Sequence, residues 1–296
     1  MNVIDVKNIT KKFGSTIALD NISLSIEKNK IYGLLGRNGA GKTTLLNLMT
    51  NKFFPTQGDI TVDGETVFEN DSVLSRIYYM SEQNLYPEGM KVKDAFRWSK
   101  EFYPLFDMEY ANLLSGKFAL NTNKRVKELS TGYGSIFKII IALSSNAEII
   151  LLDEPVLGLD ANYRDMFYKE LITNYSQNPK TIIISTHLIE EVADVIEDVI
   201  IVKEGKVIMK DSVEKILSSG YTVSGPSEKV DKYASDKNII GSDALGCFKS
   251  VYILGHIPGK DDPEYSREGV DVAHHWKPPY FKGDILYDYT GPLPQG

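Results

Sequence analysis

The sequence predicts an α/β fold with a mixed, mainly parallel sheet at its core, an inserted helical subdomain and a small carboxyl-terminal extension. Three observations carry that prediction. Two continuous apolar runs, 149–152 and 181–185, have the length of strands buried on both faces, and the stretch between them can hold a crossover helix. A third run, 31–35, leads through a glycine-rich loop into 45–49, whose apolar residues share one side of a helix. Between these regions, residues 92 to 147 show helical periodicity and few β-branched alternations.

Taken in order, residues 2 to 30 read as strands broken by turns. Val3-Ile4-Asp5-Val6 alternates, residues 11 to 15 read as a turn, and Ile22-Ser23-Leu24-Ser25-Ile26 alternates again. Phe13 lies in that turn, and its spacing fits either an exposed ring on which a base stacks or a core aromatic. After the glycine loop, residues 58 to 67 read as a hairpin turning at Asp63-Gly64. The helical stretch carries an aromatic cluster, Phe96, Trp98, Phe102, Tyr103 and Phe106, expected to form its packing core.

The run 149–152 ends in Asp153-Glu154-Pro155, which puts two carboxylates at the carboxyl end of a strand, where open α/β sheets bind ligands. A helix from 161 to 175 leads to the strand 181–185, which ends at Thr186-His187. Residues 189 to 197 read as an acidic helix, and 199 to 209 as a hairpin turning at Glu204-Gly205. After about Gly220 alternation is weak. From Gly255 the chain holds half its prolines, so a solvated or loosely folded tail is expected there. His274-His275 in that tail has no third ligand at the spacing of a zinc site.

Gly36-Arg37-Asn38-Gly39-Ala40-Gly41-Lys42-Thr43-Thr44 fits the pattern G-x-x-x-x-G-K-[ST], in the strand–loop–helix context that gives the pattern meaning. The glycines open backbone conformations closed to other residues, so that successive N–H groups converge on an anion. The following helix points its positive end at the same phosphates. Lys42 brings a full positive charge to the terminal phosphates, and Thr43 an oxygen for Mg²⁺. The chain therefore reads as nucleotide-binding, and its fold as a P-loop NTPase.

Phosphoryl transfer to water needs a phosphate cradle, Mg²⁺, a group that orients water, and charge stabilisation. Asp153 is placed to hold Mg²⁺ through its water shell, and Glu154 to orient or deprotonate the attacking water. His187, ending the next buried strand, is placed to reach the terminal phosphate from the other side.

The order Phe13, GRNGAGKTT at 36–44, Gln83, Leu129-Ser130-Thr131-Gly132-Tyr133, ILLDEP at 150–155, Gly158-Leu159-Asp160 and His187 resembles the ATP-binding-cassette ATPases over residues 1 to about 218. The resemblance implies an ATPase domain over 1–218, with the helical subdomain at about 84–147, and an accessory region over 219–296. It implies that Phe13 stacks on adenine, and that Gln83 touches Mg²⁺ or the water and senses a membrane partner. Asp160 would belong to a loop crossing a dimer interface. Two cassettes would close head to tail, each ATP lying between one phosphate loop and the other cassette's signature residues, Ser130 and Gly132.

The signature departs from the family's Leu-Ser-Gly-Gly-Gln at Thr131 and Tyr133, and Lys138 stands where the family has a glutamine-and-arginine run. A single cassette with a short extension is similar to ABC-2-type exporter ATPases, in particular those of staphylococcal exporters of phenol-soluble-modulin-type peptides. Integral-membrane subunits, a homodimer or heterodimer of cassettes, and a place on the inner face of the cell membrane are the partners and location so implied.

Composition bounds the alternatives. With 296 residues, 42% hydrophobic and 25% charged, the chain fits one large domain or two modest ones. No apolar run approaches the length of a membrane span, and the first residues lack the basic-then-apolar shape of a secretory signal. A net charge of −7 argues against a nucleic-acid partner. The one cysteine, Cys247, excludes an internal disulfide, suits a reducing compartment and reads as a small apolar filler.

Overall fold

A computed structural model describes residues 2–187, 192–218, 220–255 and 271–273. The chain divides into two units, one of residues 1–186 with 200–209, the other of 187–199 with 210–296.

In the first unit, β1 (Asn2–Phe13) and β2 (Thr16–Glu27) are followed by β3 (Ile31–Leu35), the phosphate loop and α1 (Lys42–Met49). Next come β4 (Gln57–Val62), β5 (Glu65–Thr66), α2 (Asp71–Leu74) and β6 (Ile77–Met80). The helical insertion holds α3 (Val92–Phe102), α4 (Met108–Lys117), a short 3₁₀ turn (Val126–Glu128) and α5 (Thr131–Ser144). Then come β7 (Ile149–Asp153), α6 (Ala161–Gln177) and β8 (Thr181–Thr186), with the parts of β9 (Asp198–Lys203) and β10 (Lys206–Ser212) that lie within 200–209.

The core sheet is six-stranded, in the order β10-β9-β3-β8-β7-β6, and β3, β8, β7 and β6 run parallel. Every residue of β3, β7 and β8 is buried, which is why these strands read as unbroken apolar runs. The register pairs Leu35 with Thr186 and Asp153 with Ser185, so the carboxyl ends of three adjacent strands lie level along one edge. Whatever follows those ends shares that edge.

A second sheet, β2-β1-β4-β5, is antiparallel. Here β1 runs through Lys11 and Lys12, which the sequence suggested were turn residues; the turn is confined to Gly14 and Ser15. Register shifts along the β1–β2 pair, with Asn8 and Asn21 both near φ +50, interrupt the alternation that would have marked the longer strands.

In the helical insertion, Phe96 and Phe106 are buried, and Phe96 stacks on Phe137 of α5 at 6.1 Å. Trp98 and Phe102 correct the expectation of a single aromatic core: they lie outside it, 52% and 65% exposed, touching each other at 6.4 Å.

The second unit contains α7 (Val213–Ser218), β11 (Gly220–Pro226), α8 (Ser227–Ala234), β12 (Asn238–Leu245), β13 (Phe248–Leu254) and β14 (Asp271–Ala273). Its antiparallel sheet has the order β12-β13-β11-β14. Val230, Tyr233 and Ala234 of α8 cover Tyr221, Val223, Val251 and Ile253 to make a small core. Two expectations are corrected here. Asp271–Ala273, within the stretch expected to be loose, pairs with β11, and Cys247 is an exposed turn residue between β12 and β13 rather than a buried filler. His274, His275 and the rest of the proline-rich tail lie outside the described residues, as does most of the first half of the expected helix at 189–197.

Candidate phosphate and hydrolysis site

The phosphate loop leaves β3 with Arg37, Asn38 and Gly39 exposed and Ala40 buried. Its shape depends on contacts far away in sequence. A Cβ on Gly36 would stand 2.3 Å from the carbonyl oxygen of Val202 in β9. One on Gly41, at φ +110, would meet the side chain of Leu19 at 2.7 Å and the carbonyl of Ala18 at 2.8 Å. The Gly205 N–H donates to the Ala40 carbonyl at 2.9 Å, while the Gly205 carbonyl accepts from Asp20 at 2.8 Å. The β9–β10 turn thus clamps the loop to β2. Sequence reading found that turn but nothing local to it indicates what it backs.

Lys42, the first residue of α1, is buried. Its Nζ donates to the Gly36 carbonyl at 2.6 Å and the Arg37 carbonyl at 3.3 Å, and lies 3.8 Å from Glu154 Oε1. Burial pushes its pKa down, opposed by the charges of Glu154 and Asp153. Thr43 is exposed and Thr44 half-buried behind it. The loop and this ammonium lie where the sequence pattern calls for an anion cradle.

Asp153 and Glu154 close β7 on the same edge. Asp153 is 1% exposed; its Oδ2 accepts a 3.3 Å hydrogen bond from Tyr79, and its Oδ1 is buried with no hydrogen-bond partner among the described residues. An unsatisfied carboxylate oxygen beside a phosphate loop fits a divalent cation or its water shell, because leaving it bare is costly. Thr43, Asp153 and Gln83 are the residues proposed for such an ion. Glu154 takes φ +48, rare for a residue with a side chain, its N–H donates to the Ser185 carbonyl at 2.9 Å, and its Oε2 accepts from the Thr186 hydroxyl at 3.3 Å. Backbone strain held by such contacts is typical of functional positions.

Gln83 itself is exposed. Its neighbour Glu82, which sequence reading passed over, lines a cavity of about 280 Å³ together with Glu154, Ser130, Thr131, Leu157 and Lys138. Lys138 ties this segment to α5, donating 2.8 Å hydrogen bonds to the carbonyls of both Ser81 and Glu82.

Ser130 caps α5, accepting from the Tyr133 N–H at 3.4 Å, and Asp160 caps α6, accepting from the Tyr163 N–H at 2.9 Å. Gly132 packs so closely on the loop before α6 that a Cβ would stand 2.5 Å from the Gly158 carbonyl. The Ser135 hydroxyl donates to the Leu157 carbonyl at 2.7 Å, and the hydroxyls of Tyr133 and Tyr163 are 3.4 Å apart. The two segments carrying Ser130 and Asp160 are therefore bonded to each other within one chain. Phe13 is 45% exposed at the end of β1, edge-on to Phe53 at 5.3 Å, with the Lys11 ammonium 4.8 Å from its ring centre. His187 directly follows β8, is half-buried, and falls in the second unit.

The family described as ABC transporter matches residues 19–157. The chain is 37% identical over 210 residues to the ABC transporter ATP-binding protein NatA of Bacillus subtilis, covering 68% of this chain and 85% of that protein. It is 33% identical to the ABC transporter ATP-binding protein YtrB of the same organism, covering 64% of this chain and 65% of YtrB. A more distant relative, the ribose import ATP-binding protein RbsA of Caldanaerobacter subterraneus, is 28% identical and is covered over 45% of its length. Among solved structures, the ATP-binding subunit of an ABC transporter superposes with a TM-score of 0.66 at 21% identity, covering 72% of this chain and 91% of that one. The dimeric bacterial ABC transporter cassette MJ0796 gives 0.64 at 25%, covering 71% and 98%.

Proposed function

The chain belongs to the ABC transporter family, and from that premise we propose that it is the ATP-hydrolysing subunit of an exporter acting through separate membrane subunits. The observation that supports this reading is the meeting of Lys42, Asp153 and Glu154 at one sheet edge, with Lys42 Nζ 3.8 Å from Glu154 Oε1. In it, the loop amides from Gly36 to Thr44 and Lys42 hold the phosphates. Glu154 orients and deprotonates water, and His187 faces the terminal phosphate. Thr43, Asp153 and Gln83 would hold Mg²⁺, which would supply neutralisation of the phosphate charge. Phe13 takes the adenine.

Ser130, Gly132 and Asp160 act across a dimer of cassettes that closes on ATP and opens after hydrolysis. The cycle works because ATP and ADP favour the closed state unequally. No described helix is long and apolar enough to cross a membrane. The cassette is proposed to sit on the inner face of the cell membrane, against separate subunits that form the channel. Residues 1–218 are proposed as the ATPase domain and 219–296 as an accessory region. Peptides or other amphipathic or toxic compounds are the proposed cargo. Export rests on the likeness to ABC-2-type ATPases, and accumulation of cargo in inverted vesicles carrying the membrane partners tests it; uptake in the opposite sense contradicts it.

One observation favours a second reading, a low-activity regulatory cassette: Tyr133 replaces the signature glutamine, and its hydroxyl lies 3.4 Å from that of Tyr163. Steady-state ATPase assays and light scattering separate the two. Glu154→Gln should reduce turnover about 100-fold or more and trap a dimer with ATP but not with ADP. Turnover indifferent to that change removes the hydrolytic reading.

A further inference from the structure

Tyr79 and Asp153 are neighbours by register. In the parallel pair β6–β7, Tyr79 stands opposite Leu151, and Asp153 lies two residues further along β7, on the same face. The Tyr79 hydroxyl donates to Oδ2 of Asp153 at 3.3 Å, a long hydrogen bond but the only one to that carboxylate among the described residues. The Lys52 ammonium sits 4.4 Å from the centre of the Tyr79 ring, a contact that helps hold the ring in place. A carboxylate with one oxygen occupied presents the other in a defined direction.

We infer that Tyr79 is a positioning residue for the metal carboxylate: its hydroxyl takes Oδ2 of Asp153 and leaves the buried Oδ1 for a divalent cation or a water in its shell. The inference rests on reading Asp153 as the carboxylate that holds Mg²⁺. It adds an element from the strand before the helical insertion, so that β6, which carries no recognised motif, sets the geometry of the site.

The test is direct binding of Mn²⁺, followed by its electron paramagnetic resonance signal, to the full chain saturated with a non-hydrolysable ATP analogue. Tyr79→Phe keeps the ring and its contact with Lys52 and removes only the hydroxyl. It should weaken Mn²⁺ binding about ten-fold, the lower end of what losing an outer-shell partner costs. Affinity for the analogue measured in a chelator should stay unchanged, because the phosphate loop is untouched. Asp153→Asn is the companion variant. If it weakens Mn²⁺ binding while Tyr79→Phe does not, the positioning role is wrong and the metal reading stands. If Asp153→Asn leaves Mn²⁺ binding unchanged, both fall. Equal losses of metal-free nucleotide affinity and of Mn²⁺ affinity in Tyr79→Phe would also overturn the proposal, since that pattern marks a disturbed loop.

Discussion

The ammonium of Lys42 lies 3.8 Å from the carboxylate of Glu154, with the Gly36 carbonyl 2.6 Å away on its other side. The cation of the phosphate cradle is thus engaged by the residue proposed to activate water. In the proposed reading, an arriving phosphate would compete with Glu154 for the lysine and so free the carboxylate.

Lys42→Ala should weaken ATP binding about 10- to 150-fold, as expected for losing a hydrogen bond to a charged group worth about 1.5–3 kcal/mol. Titration calorimetry under hydrolysis-free conditions measures it. Unchanged affinity would show that the backbone amides alone hold the nucleotide.

Phe13→Ala should weaken ATP binding about 5- to 150-fold, the range for losing an aromatic platform under a base. Binding of inorganic tripolyphosphate, which has no base, should not change. Phe53→Ala, which removes the edge contact at 5.3 Å and a Lys11 ammonium contact at 5.6 Å, should have a smaller effect in the same direction. Equal loss for both ligands would place the ring away from the adenine.

Gly132→Ala should destabilise the nucleotide-free chain by about 1–3 kcal/mol, because the new methyl meets the Gly158 carbonyl. Ser130→Ala removes a helix cap and should cost about 1 kcal/mol. Thermal melts without nucleotide check both. If Gly132→Ala melts like the parent yet fails to dimerise with ATP, the glycine is needed between cassettes instead of within one.

Lys180 is buried, its pKa pushed down to about 8 by desolvation. Its folded-state pKa therefore lies below the unfolded value of 10.5, and between those two pH values the unfolded chain binds more protons. The penalty for burying the charge is fully present below about pH 8 and fades as the pH rises toward 10.5. Lys180→Met should melt higher than the parent at pH 7, and that gap should narrow steadily through this window. A gap independent of pH would mean the lysine is solvated when folded.

Much of this protein was legible before folding because the signals are local. The loop 36–44 and the carboxylates at 153–154 declare themselves through residue type at fixed spacing, and the runs in β3, β7 and β8 through burial on both faces. The positions of Trp98 and Phe102, the pairing of residues 271–273 and the extent of β1 were not legible, because each depends on which neighbour covers a given face.

The sequence by itself determined that a phosphate loop, two strand-terminal carboxylates and an inserted helical region occur in a family-like order. Only the tertiary structure decided what holds them in place. Gly205 clamps the loop from more than 150 residues away, Lys138 anchors Ser81 and Glu82, and Tyr79 grips Asp153 from a neighbouring strand. Such contacts arise when packing brings distant segments together, and residue spacing along the chain carries no record of them.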